Sequence, residues 1–227
     1  MSYNKFIGIG RLLANPEVRT MQNGEAVASF RLTIPFGEKS SDYISVIAYD
    51  SKREALTDKI GKNLKKDSMV YVEGYIQTRS WKDKNGNDQK TTEIVASLVK
   101  QLGEEKTSDE FVGINKAIIV GRLGNDPTLN QTNTSGKSVA NFSIATSFGQ
   151  KTEWHNCVAW ENLADTASKH LAKGREVQVE GRLVTRKYEK DGVTKYTTEL
   201  VVNGINFVGT KPENAGTSEA PDDQIPY

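Results

Sequence analysis

One cysteine and two histidines are all that 227 residues offer of the side chains most often recruited as nucleophiles and metal ligands. With Cys157 alone, no internal disulfide and no multi-cysteine zinc site can be assembled, and its position reads as the inner face of a strand, where a thiol is inert packing. Neither His155 nor His170 has acids or cysteines spaced around it as a metal site would, so both read as structural. Gly-rich phosphate loops, nucleophile elbows and paired catalytic acids are missing too. No catalytic residue, metal or cofactor is therefore expected. Nor does any apolar stretch approach the roughly 18–20 residues of a membrane helix. The opening MSYNKFIGIGR is too short an apolar run for a secretory signal, and the expectation is a cytoplasmic protein.

What is present is ordinary in amount and unusual in arrangement. With 36% hydrophobic and 26% charged residues the chain can bury a core, and its length suits one large or two small domains. The net charge of +1 points to no partner, but the charge is segregated. Residues 1–103 hold 16 Lys+Arg against 12 Asp+Glu, and 111–208 hold 12 against 9. Segments 104–110 and 209–227 each hold 1 against 4, so two mildly basic bodies are joined and followed by acidic connectors. Taken alone, such an excess supports nucleic-acid binding only weakly.

The bodies are copies of one another. GRLLANPEV (10–18) returns as GRLGNDPTL (121–129), VASF (27–30) as VANF (139–142), YVEGYIQTRSW (71–81) as QVEGRLVTRKY (178–188), and TTE (91–93) as TTE (197–199). Repetition at a nearly constant offset is the mark of duplication. Each copy has short β-branched runs between Gly, Asn, Asp and Pro turns, interrupted once by a helical stretch, SKREALTDKIGKNLKK (51–66) or ENLADTASKHLAKG (161–174). In the latter, Leu163, Ala167 and Leu171 make one apolar stripe, and Gly174 is a natural stop. Three strands, a helix and two strands is the order of an oligonucleotide-binding (OB) barrel, so the expected fold is mostly β, two tandem five-stranded barrels with one helix each.

Two matching strands carry the candidate site. In TEWHNCVAW (152–160) and DYISVIAYD (42–50) an aromatic recurs after six residues, an even spacing that puts both rings on one face. Trp154, Asn156, Val158 and Trp160 share that face in the second unit, Tyr43, Ser45, Ile47 and Tyr49 in the first. The opposite faces, Cys157 and Ala159, and Ile44, Val46 and Ala48, are small or aliphatic. The pattern allows an exposed aromatic platform or a strand buried on both sides. Near the base of the last hairpin of each unit a cation stands beside an aromatic, Arg79 with Trp81 and Arg186 and Lys187 with Tyr188. That pairing suits a nucleotide chain, with a charge for phosphate and a ring for a base, although edge-protecting charges look the same.

Taken together, INKAIIVGRLGNDP (114–127), TEWHNCVAW and VEGRLVTRKYEKDGVTKYTTE (179–199) resemble the bacterial-type single-stranded DNA-binding proteins, in the form with two OB domains per chain. The first unit keeps the frame but has Tyr43 where the family commonly has tryptophan. The resemblance implies that Trp154, Trp160, Tyr188 and Phe148 stack on bases in the second unit, and Tyr43, Tyr49, Trp81 and Phe36 in the first. It adds Lys116, Arg122, Arg186 and Lys187, with Arg11 and Arg79, as cations for the strand. The implied organisation is an OB domain over 1–103, an acidic linker over 104–110, a second OB domain over 111–208 and a disordered tail over 209–227. The tail ends in Asp222, Asp223, Ile225, Pro226 and Tyr227, which resemble the family's partner-docking tip, with Gln224 where a third acid is frequent. The implied partners are single-stranded DNA, a second copy of the chain to make four OB folds, and replication, recombination and repair proteins held by the tip. The competing readings are a primosome-type OB assembly factor, which would lack the tip, and an OB-containing nuclease, which would need metal-binding acids.

Overall fold

The computed structural model describes residues 1–37, 40–52, 54–82, 86, 88–103, 113–132, 135–190 and 193–208, without the side chains of 188, 190 and 193–195. In the first unit the strands are β1 (Tyr3–Leu12), β2 (Glu17–Thr20), β3 (Ala26–Phe36), β4 (Ser40–Tyr49), β5 (Met69–Lys82) and β6 (Asp88–Gln101), with helix α1 (Leu56–Asn63) between β4 and β5. The second unit repeats them as β7 (Ile114–Leu123), β8 (Thr128–Gln131), β9 (Ser138–Phe148), β10 (Lys151–Trp160), α2 (Asn162–His170), β11 (Glu176–Lys190) and β12 (Val193–Phe207). Each unit closes a five-stranded OB barrel. In the first, β1 pairs with β3, β3 with β4, β4 in parallel with β6, β6 with β5, and β5 returns to β1.

The count of six strands per unit rather than five has a local cause. Pro16 and Pro127, which have no N–H to donate, interrupt the first strand after the GRL motif, and its continuation, β2 or β8, pairs only with the next strand. The repeated VEG explains the closure. At Gly74 and Gly181 the ladder slips by one residue, and an added Cβ would lie 2.2 Å from the Val95 carbonyl oxygen or 2.1 Å from that of Val201. Only glycine lets β5 and β11 bend there without a collision. Beyond the slip an asparagine side chain replaces the lost backbone pairing. Asn4 donates Nδ2–H to the Ile76 carbonyl at 2.8 Å and accepts from the Ile76 N–H at 3.0 Å, and Asn115 does the same for Leu183 at 2.8 and 3.0 Å.

The helices are shorter than their apolar stripes. Helix α2 buries Ala164 and Ala167, Leu163 is only partly covered, and Leu171 is buried just past the helix end in extended conformation. Gly174, at φ 82°, makes the later turn into β11 rather than stopping the helix.

The two barrels are joined by a sheet, which the repeat pattern did not disclose. Strands β1 and β7 pair antiparallel from Tyr3↔Val120 to Ile9↔Ile114, so equivalent strands meet about a pseudo-twofold axis at Phe6↔Ala117. All twelve strands form one continuous hydrogen-bonded sheet, and the barrel cores merge into a single apolar cluster from Phe6 and Leu32 to Ile119 and Leu200. The outer face of the joining ribbon carries matched ion pairs, Lys5 with Glu73 and Lys116 with Glu180, the latter at 2.9 Å. The Lys5 ammonium and the Tyr71 hydroxyl hold the Glu73 carboxyl below its ordinary pKa. The expected acidic segment 104–110, both hairpin tips (83–85 with 87, and 191–192) and the tail with its tip, Asp222 to Tyr227, lie outside the described residues.

Candidate functional site

The aromatic strand β10 presents Trp154 and Asn156 to solvent and leaves Trp160 half-buried. Its other face buries His155, Cys157 and Ala159, as alternation requires. Burial pushes the Cys157 thiol pKa up, which keeps it neutral and unreactive. Val158 departs from the pattern. It has the outward parity of the tryptophans but is buried, so the platform is two aromatic patches rather than one shelf. In the first unit Ile47 shows why, since it packs with Val27, Val95 and Met21 in a small cluster on the outside of the barrel. Platform and double burial therefore coexist on one strand, with the ends open and the middle covered.

Trp154, 54% exposed, lies on the backbone of the GRLG turn. A Cβ at Gly124 would come within 2.2 Å of the ring's Cζ3 and 2.9 Å of the Ser143 Oγ. Asn125 fixes that turn, its Oδ1 accepting the Ser143 N–H at 3.1 Å and the Ser143 hydroxyl at 2.5 Å. The first unit has Leu13 for Gly124, Ala14 for Asn125 and Tyr43 for Trp154. Both Leu13 and Tyr43 are exposed there, so the smaller ring goes with the larger neighbour.

Around Trp160 two cations are held by two carboxylates. The Arg186 guanidinium lies 6.0 Å from the Trp160 ring centroid, with Nε 3.3 Å from the Glu199 carboxylate, and Lys137 reaches Glu161 at 2.5 Å beside it. The first unit replaces Lys137 by Glu25, and its counterpart is a shallow depression of about 540 Å³ lined by Gly24, Glu25, Ala26, Tyr49 and Asp50. Asp50 has its counterpart in Glu161, so the units differ here in Glu25, which repels phosphate, where the second has Lys137. On the hairpins, Arg79 pairs with Glu93 at 3.3 Å as Arg186 does with Glu199, and Trp81, exposed, donates its Nε1–H to the Thr91 hydroxyl at 2.9 Å. Such exposed pairs are weak and exchange readily with a phosphate oxygen. Lys187 is exposed on β11, and the Tyr188 side chain is outside the described set.

Three expected cations stand elsewhere. Lys116 is engaged by Glu180 on the outer face of the β1–β7 ribbon, on the opposite side of its strand from the barrel core. Arg122 donates to the Gly174 carbonyl at 3.3 Å and pairs with Glu176, which also binds the chain's amino terminus, while Arg11 donates to the Asp67 carbonyl at 3.1 Å. None of these contacts involves the aromatic strands. The two phenylalanines diverge as well. Phe148 is 93% exposed at the end of β9, whereas the Arg182 guanidinium covers one face of Phe36 at 3.6 Å. Arg182 was not legible as a site residue, because its partners, Asp42 and Phe36, lie some 140 positions away in the other unit. Tyr75 stands exposed at the matching position of β5.

The single-strand binding protein family model matches residues 3–102 and 114–208. Single-stranded DNA-binding protein 1 of Chlorobaculum tepidum is 46% identical over 119 residues, which span 48% of this chain and 73% of that protein. The single-stranded DNA-binding protein of Neisseria meningitidis serogroup A is 40% identical over 115 residues, spanning 46% of this chain and 66% of its own length. Among solved structures, the wild-type single-stranded DNA binding protein of Thermus aquaticus aligns with a TM-score of 0.74 at 25% identity over 95% of this chain and 97% of that one. A deletion mutant of the same Thermus protein aligns at 0.75, with 23% identity and coverage of 94% and 98%.

Proposed function

We propose, from the premise that the chain belongs to the single-strand binding protein family, that it binds single-stranded DNA without sequence preference, through both barrels but mainly the second. The observation that carries the reading is the exposed Trp154 and the half-buried Trp160 on one strand, with the Arg186 guanidinium 6.0 Å from the Trp160 ring centroid. Rings stack on any base, each worth about 1–3 kcal/mol, and the cation meets the backbone between bases. The family is one of binding proteins, not enzymes. Titrating the protein with oligo(dT), duplex DNA and RNA while following tryptophan fluorescence tests this. Quenching by oligo(dT) well before duplex is expected, with a log–log salt slope of about −0.7 for each phosphate neutralised. Equal affinity for duplex would overturn the reading.

In this proposal residues 1–103 and 111–208 are the two binding domains, 104–110 joins them, and the protein acts in the cytoplasm on strands exposed during replication, recombination and repair. A second copy completes four OB folds. Partly exposed Ile7, Ile9 and Ile118 on the outer face of the joining ribbon favour a self-complementary contact of this kind. Light scattering is expected to give about twice the chain mass of 25.1 kDa, and a monomer at micromolar concentration would sink the dimer. The tip supplies docking for partner enzymes, with Ile225 and Tyr227 for an apolar pocket and Asp222 and Asp223 for a basic rim. Deleting 222–227 should leave the oligo(dT) titration equal or slightly tighter at low salt while abolishing capture of those enzymes. Retention of the same enzymes by the truncated chain would refute the docking role.

A further inference from the structure

The pseudo-twofold axis through β1 and β7 makes two equivalent seams between the units, and the sequence fills them differently. At one seam Asp42, only 7% exposed, receives Arg182 Nη1 at 2.9 Å on both carboxylate oxygens and the Asn115 Nδ2–H at 2.9 Å. The same guanidinium lies over the Phe36 ring, 3.6 Å from its centroid, and the Thr185 hydroxyl donates to the Tyr43 carbonyl at 3.4 Å. The cation is spent within the protein and covers one face of the ring, although Phe36 keeps 51% of its surface exposed.

At the other seam the asparagine, the phenylalanine and the threonine recur, but the ion pair does not. Glu153 stands for Asp42, Tyr75 for Arg182, Phe148 for Phe36 and Asn4 for Asn115. Tyr75 has no charge to give Glu153, whose Oε2 accepts the Thr78 N–H at 2.9 Å instead. The Tyr75 ring is left 43% exposed. Its hydroxyl pKa is raised by burial and by Tyr49 and Glu153, so it stays neutral. Tyr75, Arg79 and Trp81 alternate along one side of β5, so a row of ring, cation and ring runs from the hairpin down to the seam. Across the seam lie the exposed Phe148 and Trp154.

We propose that Tyr75 is a further single-stranded DNA contact, the ring on which a base stacks where the strand passes from one unit to the other, and that this passage crosses the Tyr75 seam and not the one bridged by the Asp42–Arg182 ion pair. The inference rests on the single-stranded DNA reading above. Glu153 repels phosphate at this point, so the strand turns a base toward the ring and keeps its backbone outward. The seam bridged by Asp42 and Arg182 has its cation neutralised and one face of its Phe36 ring already covered.

The test uses the full chain and two oligo(dT) lengths, about 8 nucleotides, which one barrel holds, and about 30, which needs both. Tyr75→Leu is expected to weaken binding of the longer oligomer about tenfold, with the loss confined to that length, and Tyr75→Phe, which keeps the ring, to restore it. In the native chain a 30-mer carrying iodouracil should cross-link to the peptide containing Tyr75 and not to the one containing Phe36. Unchanged binding by Tyr75→Leu, equal loss at both lengths, equal loss in Tyr75→Phe, or no cross-link at Tyr75 each overturns the proposal. Failure of the native chain to bind either oligomer overturns the underlying reading instead.

Discussion

Replacing Trp154 and Trp160 together by alanine is expected to weaken oligo(dT) binding by about 3–4 kcal/mol, a few hundred-fold, whereas Tyr43→Ala with Tyr49→Ala should cost roughly tenfold. The difference follows from three paired features of the units. Tryptophan presents the larger ring. Gly124 lets Trp154 lie on the backbone where Leu13 stands beside Tyr43, and Lys137 stands near Trp160 where Glu25 stands near Tyr49. Gly124→Leu should therefore remove most of the contribution of Trp154 without touching the ring, because its Cβ would need space within 2.2 Å of Cζ3. Calorimetric titration checks each variant, and thermal unfolding separates lost contact from lost fold. An alanine pair that unfolds the protein while leaving its remaining DNA affinity intact would mean that the tryptophans are core after all.

Acid is expected to destabilise the second unit far more than the first. His155 is buried on the inner face of β10, its Nε2 2.8 Å from the Thr146 hydroxyl, in the places where the first unit has Ile44 and Ile34. Burial lowers the His155 pKa from 6.5 to about 4. The unfolded chain takes up this proton below about pH 6.5 while the folded one refuses it until about pH 4. Stability is thus whole above the unfolded value and falls as pH drops through the window to the folded one, by about 3 kcal/mol at about 1.4 kcal/mol per unit. Against a typical total of roughly 5–15 kcal/mol that is a large share. Urea unfolding at pH 7, 5 and 4 measures it, with Trp154 and Trp160 reporting the second unit and Trp81 the first. The variant His155→Ile with Thr146→Ile should lose markedly less stability between pH 7 and 4. Carboxylates titrate in both proteins and cancel in the comparison, so equal losses would rule out His155 as the cause.

Much of this molecule is legible because it is local. The VEG bend, the NDP and ANP breaks and the tryptophans six apart are each fixed by the backbone within a few residues, and duplication lets one unit check the other. Helix α2 was legible in place but not in length, since Leu171 reaches the core from an extended backbone just past the helix end, while Ala164 is buried and Leu163 packs partly covered. Lys116 reads from sequence as a cation for the strand, yet its fate depends on Glu180 on the neighbouring strand β11, and a motif carries no record of that pairing.

The sequence by itself determined two OB barrels, the parity that sends Trp154 outward and Cys157 inward, and the unequal rings of the two units. A strand's period of two and the steric needs of Gly and Pro act over a few residues and leave their mark in the order of side chains. Only the tertiary structure decided that β1 pairs with β7, that Val158 and Ile47 are covered, that Arg182 is spent on Asp42 and Phe36, and that Tyr75 stays open at the opposite seam. These outcomes rest on contacts between residues far apart in the chain. The same residue pattern would fit either seam until the two barrels are docked, because burial and ion pairing belong to the surface a side chain meets and not to the segment that carries it.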